Sequence, residues 1–113
     1  MPSTKVFDLN KSLQDAINDK FIKVRGVAAT REVYLNGKLL KPSKSQRVRN
    51  HSPDGFNWGY GGSGPAQLAL AILLEVMPKD KALRIYQDFK FKVVAGWPQG
   101  TDFEEEIELG KSH

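Results

Sequence analysis

The 113-residue sequence contains no cysteine. That excludes disulfides, thiolate metal sites and a cysteine nucleophile. It also suits the reducing cytoplasm, where the chain is expected to reside. Histidine is nearly as scarce, with only His51 and the terminal His113. A metal site needs more ligands than His51 and Asp54 could offer, so neither a metal nor a cofactor is expected. Long apolar runs are missing too. The longest, Leu68 to Leu74, falls far short of the ~20 residues that span a bilayer, and no membrane partner is expected. The start, Met1-Pro2-Ser3-Thr4-Lys5, lacks the apolar core of a signal peptide. No internal repeat, low-complexity tract or linker is visible.

What is present is ordinary globular material. A hydrophobic fraction of 40% beside a charged fraction of 27% rules out a disordered tail. The length fits one domain that can bury a core without staples. The net charge of +4 conceals an asymmetry. Residues 1–52 carry eleven Lys/Arg against four Asp/Glu, a net +7, whereas residues 53–113 carry six against nine, a net −3. A basic half can attract nucleic acid or other polyanions, although a solvated face on a modestly basic protein is the simpler reading.

Leu9, Leu13, Ile17 and Phe21 recur every four residues and predict an N-terminal helix with Asp8 as its cap. Residues 1–25 therefore read as a helical extension, and residues 26–113 as a single α+β domain. A strand beginning at Phe21 is the alternative. Asn36-Gly37, between Arg31–Leu35 and Lys38–Leu40, predicts a β-hairpin, because a type I′ turn needs positive φ at both central residues. Ser45 to His51 could form a further strand. Ser52-Pro53-Asp54-Gly55 fits a type I turn. Gly61-Gly62-Ser63-Gly64 leads into a helix from Pro65 to Met77, with Ser63 or Gly64 as its cap. That helix has almost no polar face, so other elements must enclose it. Lys79 to Val94 predicts an amphipathic helix with Ala82, Tyr86, Phe89 and Val93 on one stripe, although Phe89-Lys90-Phe91-Lys92-Val93 alternates like a strand. Thr101-Asp102-Phe103-Glu104 has the form of a capping box ahead of a short acidic helix. The fold class expected is α+β: a small antiparallel sheet packed on a buried central helix, with two or three further helices.

The run from His51 to Leu73, HSPDGFNWGYGGSGPAQLALAIL, resembles the signature of a family of small uncharacterised domains found in bacteria and their mobile elements. The resemblance extends from about Gly26 to Leu109 and leaves out residues 1–20. It implies a domain of unknown function and adds no mechanism.

Three features could carry chemistry. The glycine loop meets a helix N-terminus, where free N–H groups and the helix dipole favour anions. It lacks the Gly-Lys-Ser/Thr of a P-loop, and its glycines could serve only close packing. His51, with Arg47, Arg49, Asp54 and Tyr60 near it in sequence, has the ingredients of acid–base chemistry. One histidine near one aspartate is a weak constellation, and the favoured reading is that His51 hydrogen-bonds backbone and stabilises the loop. Phe56, Trp58 and Tyr60 alternate, so an extended segment would place them on one face, as a platform for bases or as a roof over the core. The candidate ligand-binding residues are Arg47, Arg49, His51, Trp58, Tyr60, Gly61, Gly62 and Ser63, and no residue is assigned as catalytic. The leading expectation is a non-catalytic binding module for nucleic acid or a nucleotide. A protein–protein adaptor or inhibitor serving a mobile element, and an enzyme using His51, are the alternatives.

Overall fold

The computed structural model describes residues 3–8 and 20–110. The chain runs through strands β1 (Ser3–Asp8), β2 (Lys20–Val27), β3 (Glu32–Leu35) and β4 (Lys38–Leu40). Helices α1 (Ser43–Val48), α2 (Ser63–Val76) and α3 (Lys79–Lys92) follow, then a 3-10 turn at Val94–Gly96 and strand β5 (Phe103–Gly110). The five strands form one sheet in the order β1-β5-β2-β3-β4. The fold is α+β.

Sequence and structure agree where the local signal is strong. Asn36 and Gly37 have φ of 52° and 83°, the left-handed pair that closes the β3–β4 hairpin. The Asn36 side chain also accepts the Lys23 N–H at 2.9 Å, tying the turn to β2. In α2 every residue from Gly64 to Leu74 is buried, and it packs against α1 and α3. Pro78 ends α2, and its carbonyl accepts the Ala82 N–H at 3.0 Å to begin α3. The stripe of Ala82, Tyr86, Phe89 and Val93 is buried as its spacing requires.

Four expectations are corrected. The acidic segment is β5, a strand inside the sheet between β1 and β2, and not a helix. Phe103, Glu105, Ile107 and Leu109 are all buried, a period of two that outweighs the capping-box pattern. Thr101 therefore caps no helix, and the Asp102 carboxylate accepts the Ala28 N–H at 2.7 Å. Ser45 to Val48 lies in a helix and not a strand, because the Pro42 carbonyl accepts both the Ser45 hydroxyl at 2.8 Å and the Gln46 N–H at 2.9 Å. The cap of α2 is Gly62, and Ser63 is already helical. The sheet is mixed, since β1 runs parallel to β5.

The expected helix over Leu9–Phe21 falls mostly on residues outside those described. Lys20 and Phe21 belong to β2, which runs across the expected boundary at 25/26, and β1 joins the same sheet through β5.

The helices cover one sheet face. Phe7 of β1 meets Phe89 of α3 edge to face, with centroids 5.0 Å apart. A second aromatic group closes the core near β5, where Trp97 stacks on Phe103 at 4.0 Å and Trp58 meets Phe103 edge-on at 4.9 Å. The Trp97 indole donates to buried Glu105 at 2.7 Å, which accounts for a carboxylate inside the core.

Candidate functional site

The site is built on one buried polar side chain. Gln67, on α2, is fully enclosed. Its amide nitrogen donates to the Ser45 hydroxyl at 2.9 Å and to the Arg49 carbonyl at 3.1 Å. Its oxygen accepts the N–H groups of His51 at 2.7 Å and Ser52 at 2.9 Å. All four hydrogen-bonding capacities of the carboxamide are used. The segment leaving α1 is thereby fixed on the start of α2, with Arg49 and His51 carried outward.

Their side chains meet α3 at Tyr86. The Tyr86 ring is buried, but its hydroxyl lies 2.7 Å from His51 Nε2 and 3.4 Å from an Arg49 guanidinium nitrogen. Lys90 stands one turn further along α3, on the same helix face as Tyr86. Burial, then the charge of Arg49, then that of Lys90 hold the His51 pKa below its ordinary value of 6.5. No carboxylate shares in that shift. Lys90 itself is only 6% exposed, and its ammonium sits 3.9 Å from the Phe91 ring centroid. Lysines so enclosed are ordinarily paired with an anion; among the described residues none is paired with this one.

The glycine loop borders this cluster. A Cβ on Gly61 would lie 3.0 Å from the Phe91 ring, and one on Gly62 only 2.5 Å from the Tyr60 ring. The two glycines therefore let both rings rest against the backbone that starts α2. Phe91 is 63% exposed and Tyr60 37%. Ser63 is exposed at the helix start.

Two candidates from the sequence do not join the site. Trp58 is 1% exposed, and its indole N–H is shared between the carbonyls of Pro98 and Thr101, both at 3.1 Å. It is core and offers no face for stacking. Gly59, with φ of 86°, reverses the chain between Trp58 and Tyr60, so the alternation of Phe56, Trp58 and Tyr60 does not place them on one face. Arg47 is exposed on α1, with no hydrogen bond or ion pair linking it to the cluster among the described residues. Conversely, Tyr86, Lys90 and Phe91 were not among the sequence candidates. For Phe91 alone there is a signal, the strand-like Phe89-Lys90-Phe91 alternation, which on a helix carries Phe91 away from the buried stripe.

Three surface cavities lie elsewhere. One of about 200 Å³ is lined by Arg31, Lys41, Asp54 and Phe56, among others. One of about 230 Å³ reaches Gln99, and one of about 350 Å³ lies beside the hairpin at Leu39 and Glu75. His51 lines none of these three. Among the described residues no group of three His, Asp or Glu side chains could hold a metal ion. No helix among them is long and apolar enough to cross a membrane.

Among known families, the one described as Family of unknown function (DUF6166) matches residues 23–109, and the chain belongs to it. No curated protein and no solved structure matches the chain.

Proposed function

We propose that this chain is a non-catalytic binding module for an anionic partner, a nucleic acid or a nucleotide, and that it acts in the cytoplasm. The observation that supports this reading is the meeting of Arg49 and His51 at the Tyr86 hydroxyl, with the Lys90 charge near enough to bear on His51 and no carboxylate among the groups that shift it. The charges of Arg49 and Lys90 disfavour the protonated form of His51, and a bound phosphate offsets that positive field. Arg49 supplies a planar fork of donors, and Lys90 a point charge on a packed stem. The N-terminus of α2 adds its free N–H groups, though a helix end alone contributes only ~0.3–1 kcal/mol at an exposed position.

The alternatives have less behind them. An enzyme built on His51 calls for a carboxylate in a shared cleft, and the neighbours that shift His51 are cations. An adaptor calls for a continuous apolar surface. The exposed apolar residues of the open sheet face, Val6, Phe21 and Leu39, are interrupted by Lys23, Arg25 and Glu104.

The test is a titration of the protein with single-stranded DNA, single-stranded RNA and common nucleotides at low salt, repeated as salt rises. Binding should weaken steeply with salt, because each neutralised phosphate releases counterions. Arg49→Ala combined with Lys90→Met should lower affinity at least tenfold and flatten the salt dependence by about two counterions. Binding to none of these probes removes the proposal.

A further inference from the structure

Resting on the anion-binding reading, we infer that the partner is single-stranded nucleic acid, with unpaired bases stacking on Phe91 and Tyr60 while Lys90, Arg49 and His51 take the phosphates.

Phe91 and Tyr60 are both exposed and flank the same two glycines, whereas Phe21, the other exposed aromatic residue among those described, lies on the open sheet face. Phe91 is the most exposed large hydrophobic residue described, although the neighbouring turns of α3 bury Phe89 and Val93 beneath it. Nothing in the core requires an aromatic residue at position 91. The ring instead meets Gly61 along its Cδ1–Cε1 edge, carries the Lys90 ammonium over one face and leaves 63% of the residue exposed.

That combination matches the chemistry of an unpaired nucleotide. A base presents a flat π-face, which a ring held against the backbone can accept without reordering. Its phosphate is anionic and follows one sugar away, where an ammonium beside the ring can meet it. Duplex DNA fits poorly, because its bases are already stacked and offer only groove edges. An anionic membrane also combines charge with apolar contact. There, however, a helix presents a broad apolar face, whereas α3 buries Ile85, Tyr86 and Phe89 and exposes Phe91 alone among its large apolar side chains.

The experiment compares a single-stranded oligothymidine of about ten nucleotides, a length within known single-strand site sizes, with an abasic oligomer of equal length, a duplex, and vesicles of anionic phospholipid. All are measured by fluorescence anisotropy or co-sedimentation at one low salt concentration. The oligothymidine should bind about tenfold more tightly than the abasic oligomer, the value of roughly one stacked base. Phe91→Leu and Tyr60→Leu together should bring the ratio of the two affinities to about one. Both positions are exposed, so circular dichroism should show the variant folded. Equal affinity for oligothymidine and abasic oligomer, no effect of the double variant, or tighter binding to duplex or vesicles would each overturn the inference while leaving anion binding intact. Failure of every probe to bind would overturn both.

Discussion

The buried carboxamide of Gln67 accepts the backbone N–H of His51 at 2.7 Å. This bond joins the core helix to the basic patch, because the same side chain also holds Arg49 and Ser52. Gln67→Leu keeps the volume and strands those backbone groups. It should cost about 2–4 kcal/mol in chemical denaturation, since a buried polar group without its partner loses ~1–3 kcal/mol. It should also weaken anion binding beyond what the loss of stability explains. A variant as stable as the wild type would show that Gln67 does not organise the segment.

The second expectation concerns protons. The His51 imidazole should titrate below its ordinary 6.5 when followed by NMR, because burial, Arg49 and Lys90 all disfavour its charged form. Arg49→Ala should raise that midpoint, and so should saturation with a polyanion. The consequence for stability has a definite sign. As pH falls through 6.5, the unfolded chain takes up the proton first, so this group lowers stability until the folded form is protonated too. A midpoint above 6.5 in the free protein would contradict the electrostatics of the patch.

Core packing sets the third expectation. Leu68 and Ile72 are fully enclosed on α2. Either residue replaced by alanine should lower unfolding free energy by about 2–5 kcal/mol, through lost transfer energy and a cavity. Losses under about 1 kcal/mol in both variants would mean that the helix is not enclosed as described.

The fourth concerns the hairpin. A side chain at Gly37 would meet no atom within 4 Å, so only its φ of 83° resists substitution. Gly37→Val should therefore destabilise by about 2 kcal/mol through backbone strain alone, whereas Gly37→Asn should be nearly neutral. Equal losses for both substitutions in thermal melts would point to packing instead.

How far the sequence could be read followed the range of each signal. The Asn36-Gly37 turn and the unbroken apolar run of α2 depend on local stereochemistry and total burial, and both emerge as the sequence predicts. Residues 101–109 held two patterns at once. Thr101-Asp102-Phe103-Glu104 fits a capping box, and Phe103, Glu105, Ile107 and Leu109 fit a strand. Only the partners β1 and β2 decide between them, by burying Glu105 where Trp97 can bond it. The short α1 lacked a readable period, because its order comes from Gln67, more than fifteen residues away. Arg49 and His51 stood out by residue type. Tyr86 and Lys90 did not, since one belongs to an apolar stripe and the other to an ordinary amphipathic helix. Their meeting with His51 is a tertiary contact across 35 residues.

The most direct measurement is chemical-shift mapping of the protein during titration with a single-stranded oligonucleotide at low salt. Anion binding at this patch predicts the largest changes at the His51 ring, the Arg49 and Lys90 side chains and the Gly61 and Ser63 amides, with the His51 midpoint moving upward. Changes confined to the open sheet face around Lys23 and Arg25, or no changes while the oligonucleotide is demonstrably in excess, would contradict it.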